Sequence, residues 1–118
     1  MSRANRRVPV DIYVNKMING VPFLARTKDL SREGVYLHRL LEPNTPVGAH
    51  LALEFMLPGS EEIFWAEAEV VHGDPDAGLG LRFKDLSARQ SQLLDDFVVH
   101  SSAMTVVELD NAPVAAAG

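Results

Sequence analysis

Three arginines open the sequence, Arg3, Arg6 and Arg7 in Met1-Ser2-Arg3-Ala4-Asn5-Arg6-Arg7. A guanidinium presents a planar fork of donors that matches two phosphate oxygens, or guanine O6 and N7, through parallel hydrogen bonds. Arg3 and Arg7 stand four apart, so an arm carrying both could fold over an anion that neither would hold alone. The segment has nothing apolar to bury beyond Met1, and it reads equally as a solvating basic terminus. A second cluster is Asp29-Leu30-Ser31-Arg32-Glu33-Gly34. A short carboxylate accepts from the N1 and N2 donors of a guanine edge, and Ser31 adds a hydroxyl. Gly34 permits torsions, or a close approach, that a side chain would block. The competing reading is a turn in which Asp29 and Ser31 cap their own backbone.

Other chemistries find little support. His38, His50, His72 and His100 are scattered, without the i, i+4 spacing or the carboxylate neighbours of a metal site. Ser31 and Asp29 with a histidine would make a nominal triad, but no nucleophile-elbow sequence surrounds the serine. Gly78-Leu79-Gly80 lacks a third glycine and does not lead into a helix, so it is no dinucleotide loop. Those glycines are expected to ease strand bending. With no cysteine, disulfides and thiol chemistry are excluded. No catalytic residue, metal or cofactor is expected.

The elements that must hold these residues fit into one small domain. The chain has 118 residues, 47% of them hydrophobic and 23% charged, enough for one core. The net charge of −5 divides unevenly, about +5 over residues 1–40 and −10 over residues 41–118. A basic first third on an acidic protein suits a small anion better than a nucleic acid, which needs a basic face across the domain. No apolar run approaches the ~18 residues of a membrane span, so no membrane insertion and a cytoplasmic location are expected.

From Val8 the pattern alternates, with Val10, Ile12 and Val14 on one face, the signature of a half-buried strand. Asn19-Gly20 is a hairpin turn signal, and a second strand follows over about residues 21–27. The Asp29–Gly34 segment reads as a loop before a strand at residues 35–38. Further alternation over residues 51–57, 63–72 and 79–83 gives six strands at regular spacing, an antiparallel sheet that closes or nearly closes into a barrel. Ser87-Ala88-Arg89-Gln90 is a capping box. Leu93, Leu94, Phe97 and Val98 then form the stripe of a helix of about 14 residues that could plug one barrel opening. The expected organisation is a flexible basic arm over residues 1–7, barrel and helix over 8–101, and a mostly disordered tail over 102–118.

Together the two clusters resemble the PilZ family of cyclic di-GMP receptors. That family has Arg-x-x-x-Arg on an N-terminal arm and Asp/Asn-x-Ser-x-x-Gly after the second strand. Here these are Arg3-Ala4-Asn5-Arg6-Arg7 and Asp29-Leu30-Ser31-Arg32-Glu33-Gly34, and Ala77-Gly78-Leu79-Gly80-Leu81-Arg82-Phe83 before the helix is also similar. The similarity spans about residues 3–100. It implies a six-stranded split β-barrel with a C-terminal helix and a ligand on the outside, between the arm and the loop. By that resemblance Arg3 and Arg7 would engage phosphates and guanine faces, Asp29 and Ser31 would read a guanine edge, and Gly34 would shape the loop. Arg6 and Arg32 are additional candidates that the motif itself does not include. The implied function is a non-catalytic cyclic di-GMP receptor signalling to an effector protein. The alternative is an interaction adaptor on the same barrel with a vestigial site.

Overall fold

The computed structural model describes residues 6–38, 45–74 and 78–101. Arg3, the rest of residues 1–5, the 102–118 tail and parts of two expected turns lie outside them. Seven strands run in the order β1 (Val8–Pro9), β2 (Tyr13–Ile18), β3 (Val21–Leu30), β4 (Gly34–His38), β5 (His50–Phe55), β6 (Phe64–Asp74) and β7 (Gly78–Lys84). A helix, α1, covers residues 88–101. All pairings are antiparallel, in the spatial order β1-β3-β2-β5-β6-β7-β4, and a further β3–β4 pairing joins the ends. Six strands therefore close a barrel, and β1 is an extra strand lying against the end of β3.

That extra strand is the main departure from the pattern, which runs unbroken from Val8. The residues divide because β1 and β2 meet β3 in registers one residue apart: Val8 lies opposite Leu30, whereas Tyr13 lies opposite Arg26. Val10, Asp11 and Ile12 thus face only Thr27 and Lys28, the one extra residue of a β-bulge. Thr27 repairs the interrupted ladder. Its buried hydroxyl accepts from the Ile12 amide at 3.0 Å and donates to the Val10 carbonyl at 2.6 Å. Thr27→Val keeps the shape and deletes both bonds, so unfolding stability should fall by about 1–3 kcal/mol. An unchanged denaturation midpoint would show that the hydroxyl does not hold the bulge.

β3 also runs further than expected, through Asp29 to Leu30, because it is paired on both sides there: Leu30 with Val8 and with Val35. The loop shrinks to Ser31-Arg32-Glu33. The Asn19-Gly20 turn is as the sequence requires, with φ of 52° and 79° at its two residues, the left-handed pair of a tight hairpin. Gly78 and Gly80 serve close approach rather than bending. A Cβ on Gly78 would sit 2.0 Å from the Leu37 carbonyl oxygen, and one on Gly80 3.1 Å from the Cβ of His72.

Alternate residues of each strand fill the barrel, with Val14, Ala25, Leu37, Leu53, Val70 and Leu79 fully enclosed. Phe55 stacks on Phe64 at a centroid separation of 4.9 Å, and Phe83 meets Phe64 tilted at 5.8 Å. Lys16 continues the inward face of β2 and is also fully buried. The capping box forms as expected: Ser87 Oγ accepts from the Gln90 amide, and Gln90 Oε1 accepts from the Ser87 amide, both at 3.0 Å. Leu94 of α1 joins the core, Val98 is buried, and Leu93 and Phe97 are half-buried. No helix among the described residues is long and apolar enough to cross a membrane.

Candidate functional site

Burial of Val8 against Leu30 fixes where the N-terminal segment meets the barrel. Pro9 lies opposite Asp29, and the chain arriving at β1 therefore carries Arg7 to the same spot. The Arg7 Nε donates to Asp29 Oδ1 at 2.5 Å, both groups partly open to solvent. The two clusters of the sequence are thus in direct contact. Asp29 takes its partner from across the site, not from its own turn.

Ser31 has the other fate considered for it. Its hydroxyl is buried and accepts from the Gly34 amide at 3.1 Å and the Glu33 amide at 3.2 Å. The Ser31 amide in turn donates to the Gly34 carbonyl at 2.8 Å, so serine and backbone together clamp the three-residue turn. Gly34 is required by space, not by torsion. A Cβ there would sit 2.0 Å from the Leu81 carbonyl oxygen, because β4 passes directly against β7. The absence of a side chain at Gly34 lets the Ser31 turn lie flat beside β7.

These groups open onto a groove of about 310 Å³ lined by Arg7, Ser31, Glu33, Gly34, Val71, Leu81 and Arg82. Arg82 is the residue that sequence reasoning missed. Strand alternation points it outward, but only the register of Gly34 opposite Arg82 brings its guanidinium beside the turn. Val71 is likewise contributed by β6, where it follows the inward Val70 on the outward face, at a register shift between Val70 and His72. The groove therefore combines the guanidinium groups of Arg7 and Arg82, the Glu33 carboxylate of its lining, Asp29 held on Arg7, and an apolar wall. That combination suits a flat, anionic, hydrogen-bonding ligand.

The two additional candidates lie to one side. Arg32 Nη1 donates to Asp95 Oδ1 of α1 at 2.9 Å, tying the turn to the helix. Arg6 and Arg32 line a separate cleft of about 320 Å³ together with Asp95, Val98 and Val99. No cluster of metal-ligating side chains occurs among the described residues.

Comparison with known proteins identifies the family and the fold. A family model described as the PilZ domain matches residues 2–100. The fold is similar to that of the Bacillus subtilis inhibitor of motility (MotI/DgrA), with a TM-score of 0.70 and 18% identity over 82% of this chain and 49% of that one. The chain thus spans about half the length of that protein. It is also similar to the PilZ domain of YcgR from Escherichia coli, solved with c-di-GMP: TM-score 0.69 and 15% identity over 89% of this chain and 95% of that one. The Borreliella burgdorferi PlzA protein in complex with c-di-GMP gives a TM-score of 0.62 and 16% identity over 82% of this chain and 41% of that one. No curated protein sequence matches the chain.

Proposed function

Because the chain belongs to the PilZ domain family, we propose that it is a non-catalytic, cytoplasmic receptor for cyclic di-GMP whose output passes to a protein partner. The observation that carries this reading is the Arg7–Asp29 contact at the mouth of an external groove. Two of the similar structures, from Escherichia coli and Borreliella burgdorferi, hold c-di-GMP.

Each role is read from the chemistry of the group. Asp29 holds the Arg7 Nε and so sets the plane of the guanidinium, leaving the terminal nitrogens to meet a phosphate or a guanine face. The second Asp29 oxygen can accept from guanine N1–H and N2–H, a pair of donors that adenine does not present. Arg3, four residues upstream of Arg7, supplies a second fork from the arm, and Arg82 supplies one from the barrel wall. Ser31 and Gly34 act through shape, one closing the turn and the other seating it on β7. Arg6 and Arg32 are further cations beside the same arm.

A calorimetric titration tests the reading. Cyclic di-GMP should bind saturably, and cyclic di-AMP about 5–150-fold more weakly, the range for one well-formed base contact. Asp29→Ala should weaken cyclic di-GMP binding and erase most of that preference. Equal affinity for the two dinucleotides would mean that charge alone is recognised. Mutual satisfaction of Arg7 and Asp29 also favours a second reading, an interaction adaptor whose site stays closed. Complete absence of cyclic di-GMP binding would select it.

A further inference from the structure

The side of the barrel away from the groove carries an apolar cluster on which no described element packs. Around the closed sheet, β2 and β5 lie across from β7 and β4. Register aligns Leu24, Asn15, Glu54 and Trp65 in one outward row over β3, β2, β5 and β6. Tyr13, Met56 and Ile63 extend the cluster, and with Leu24 they line a cleft of about 260 Å³. Ile63 is 67% exposed, Tyr13 61% and Leu24 56%. Isolated exposed apolar residues mean little, but a contiguous group with a polar border marks an interaction surface.

The charges around this cluster select its occupant. Glu54 sits in the row itself, accepting from Asn15 Nδ2 at 3.2 Å, and Glu67 follows Trp65 on the outward face of β6. Among the described residues neither takes part in an ion pair, whereas nearby cations are already engaged. Asp11 receives Arg26 through both oxygens, at 3.0 and 2.5 Å, and Glu62 receives Arg89. Lys84, opposite Glu67 on β7, donates to Glu69 at 3.3 Å, so the border is acidic in balance. A second copy of the chain would bring like charges together. Residues 102–118 carry Glu108 and Asp110 and no basic residue, so they complement it no better.

We propose that this face binds a protein partner through an amphipathic segment whose bulky apolar side chains are flanked by lysine or arginine. The proposal rests on the reading that output passes to a protein, and it supplies the surface and the chemistry of that partner. A face across the barrel from the groove can be occupied together with it. Tyr13 and Trp65 are the aromatic anchors that such interfaces concentrate.

Trp65 is the only tryptophan in the chain, so its emission reports on the face directly. The probe is a synthetic amphipathic peptide of about 18 residues, with leucine at helical spacing, lysine on both flanks and no tryptophan. Its twin carries glutamate in place of every lysine. The lysine peptide should shift Trp65 emission saturably and bind several-fold more weakly at high salt. A Leu24→Ser/Ile63→Ser protein, with circular dichroism unchanged, should bind it about tenfold or more weakly and should still bind cyclic di-GMP like the parent. A Glu54→Gln/Glu67→Gln protein should lose most of the salt dependence. No response to the lysine peptide, equal binding of the twin, or full binding by the serine variant would each overturn the proposal. So would a parent dimer in sedimentation equilibrium that the serine variant dissolves, which would make a second copy the occupant. Failure of the cyclic di-GMP titration with the peptide response intact strikes the receptor reading alone.

Discussion

Gly34→Ala should melt far below the parent protein, by on the order of 10 °C or more. The added Cβ would lie 2.0 Å from the Leu81 carbonyl oxygen, 3.1 Å from its carbon and 3.3 Å from the Arg82 Cα, all backbone atoms of β7. No side chain can swing aside to relieve the overlap, so β4 and β7 would have to part where they pair. Forced overpacking of this kind costs about 1–3 kcal/mol and sometimes more, and each kcal/mol lowers the melting temperature of a domain this size by roughly 4–8 °C. Gly73→Ala is the matched control. Its Cβ would meet only side-chain atoms, at 3.8 and 3.9 Å, and it should melt near the parent. A Gly34→Ala protein as stable as that control would refute the close approach.

Arg7→Ala should leave the fold nearly untouched and weaken cyclic di-GMP binding about 10–150-fold. The range corresponds to about 1.5–3 kcal/mol for hydrogen bonds to a charged group. The ion pair it removes joins two partly exposed side chains, and such pairs contribute about 1 kcal/mol or less to folding. Arg7→Lys is the sharper variant. It keeps the charge but loses the planar fork, so affinity should recover only in part. Calorimetry and thermal melting on the same samples separate the two effects. Parent-like binding by Arg7→Ala would remove Arg7 from the site, and a collapsed melting temperature would make it a structural residue.

Much of the barrel is legible in the sequence because strand alternation has a period of two, and each inward residue announces the next. Leu51, Leu53 and Phe55, or Phe64, Ala66, Ala68 and Val70, face inward as their spacing demands. The Asn19-Gly20 turn and the Ser87/Gln90 cap are local chemistry, complete within two to four residues. What the sequence conceals is long-range. The break between β1 and β2 depends on the hydroxyl of Thr27, fifteen residues beyond Ile12. Lys16 obeys the alternation yet breaks the rule that inward means apolar.

The site divides along the same line. Arg7 and Asp29 are singled out as candidates by residue type and by the family resemblance, and their contact follows from Pro9 lying opposite Asp29. Ser31 is found too, but as the clamp of its own turn. Arg82 enters the groove only through the β4–β7 register, and Arg32 meets Asp95 from sixty-three residues away. No spacing rule reaches that far.

Closure of β3 onto β4 has a consequence for the protein in concentrated solution. An open sheet offers two rows of unpaired amides and carbonyls, on which another chain can grow as a further strand. Here, among the described residues, each barrel strand has a neighbour on both flanks over part of its length, β3 meeting β4 from Arg26 to Leu30, and the strand added outside the barrel is β1, two residues long, one of them Pro9 with no amide hydrogen to give. Detaching β1 would bare only a stretch of β3 of the same length. Loss of β1 would therefore add only two residues of strand edge to any template for fibrous self-association.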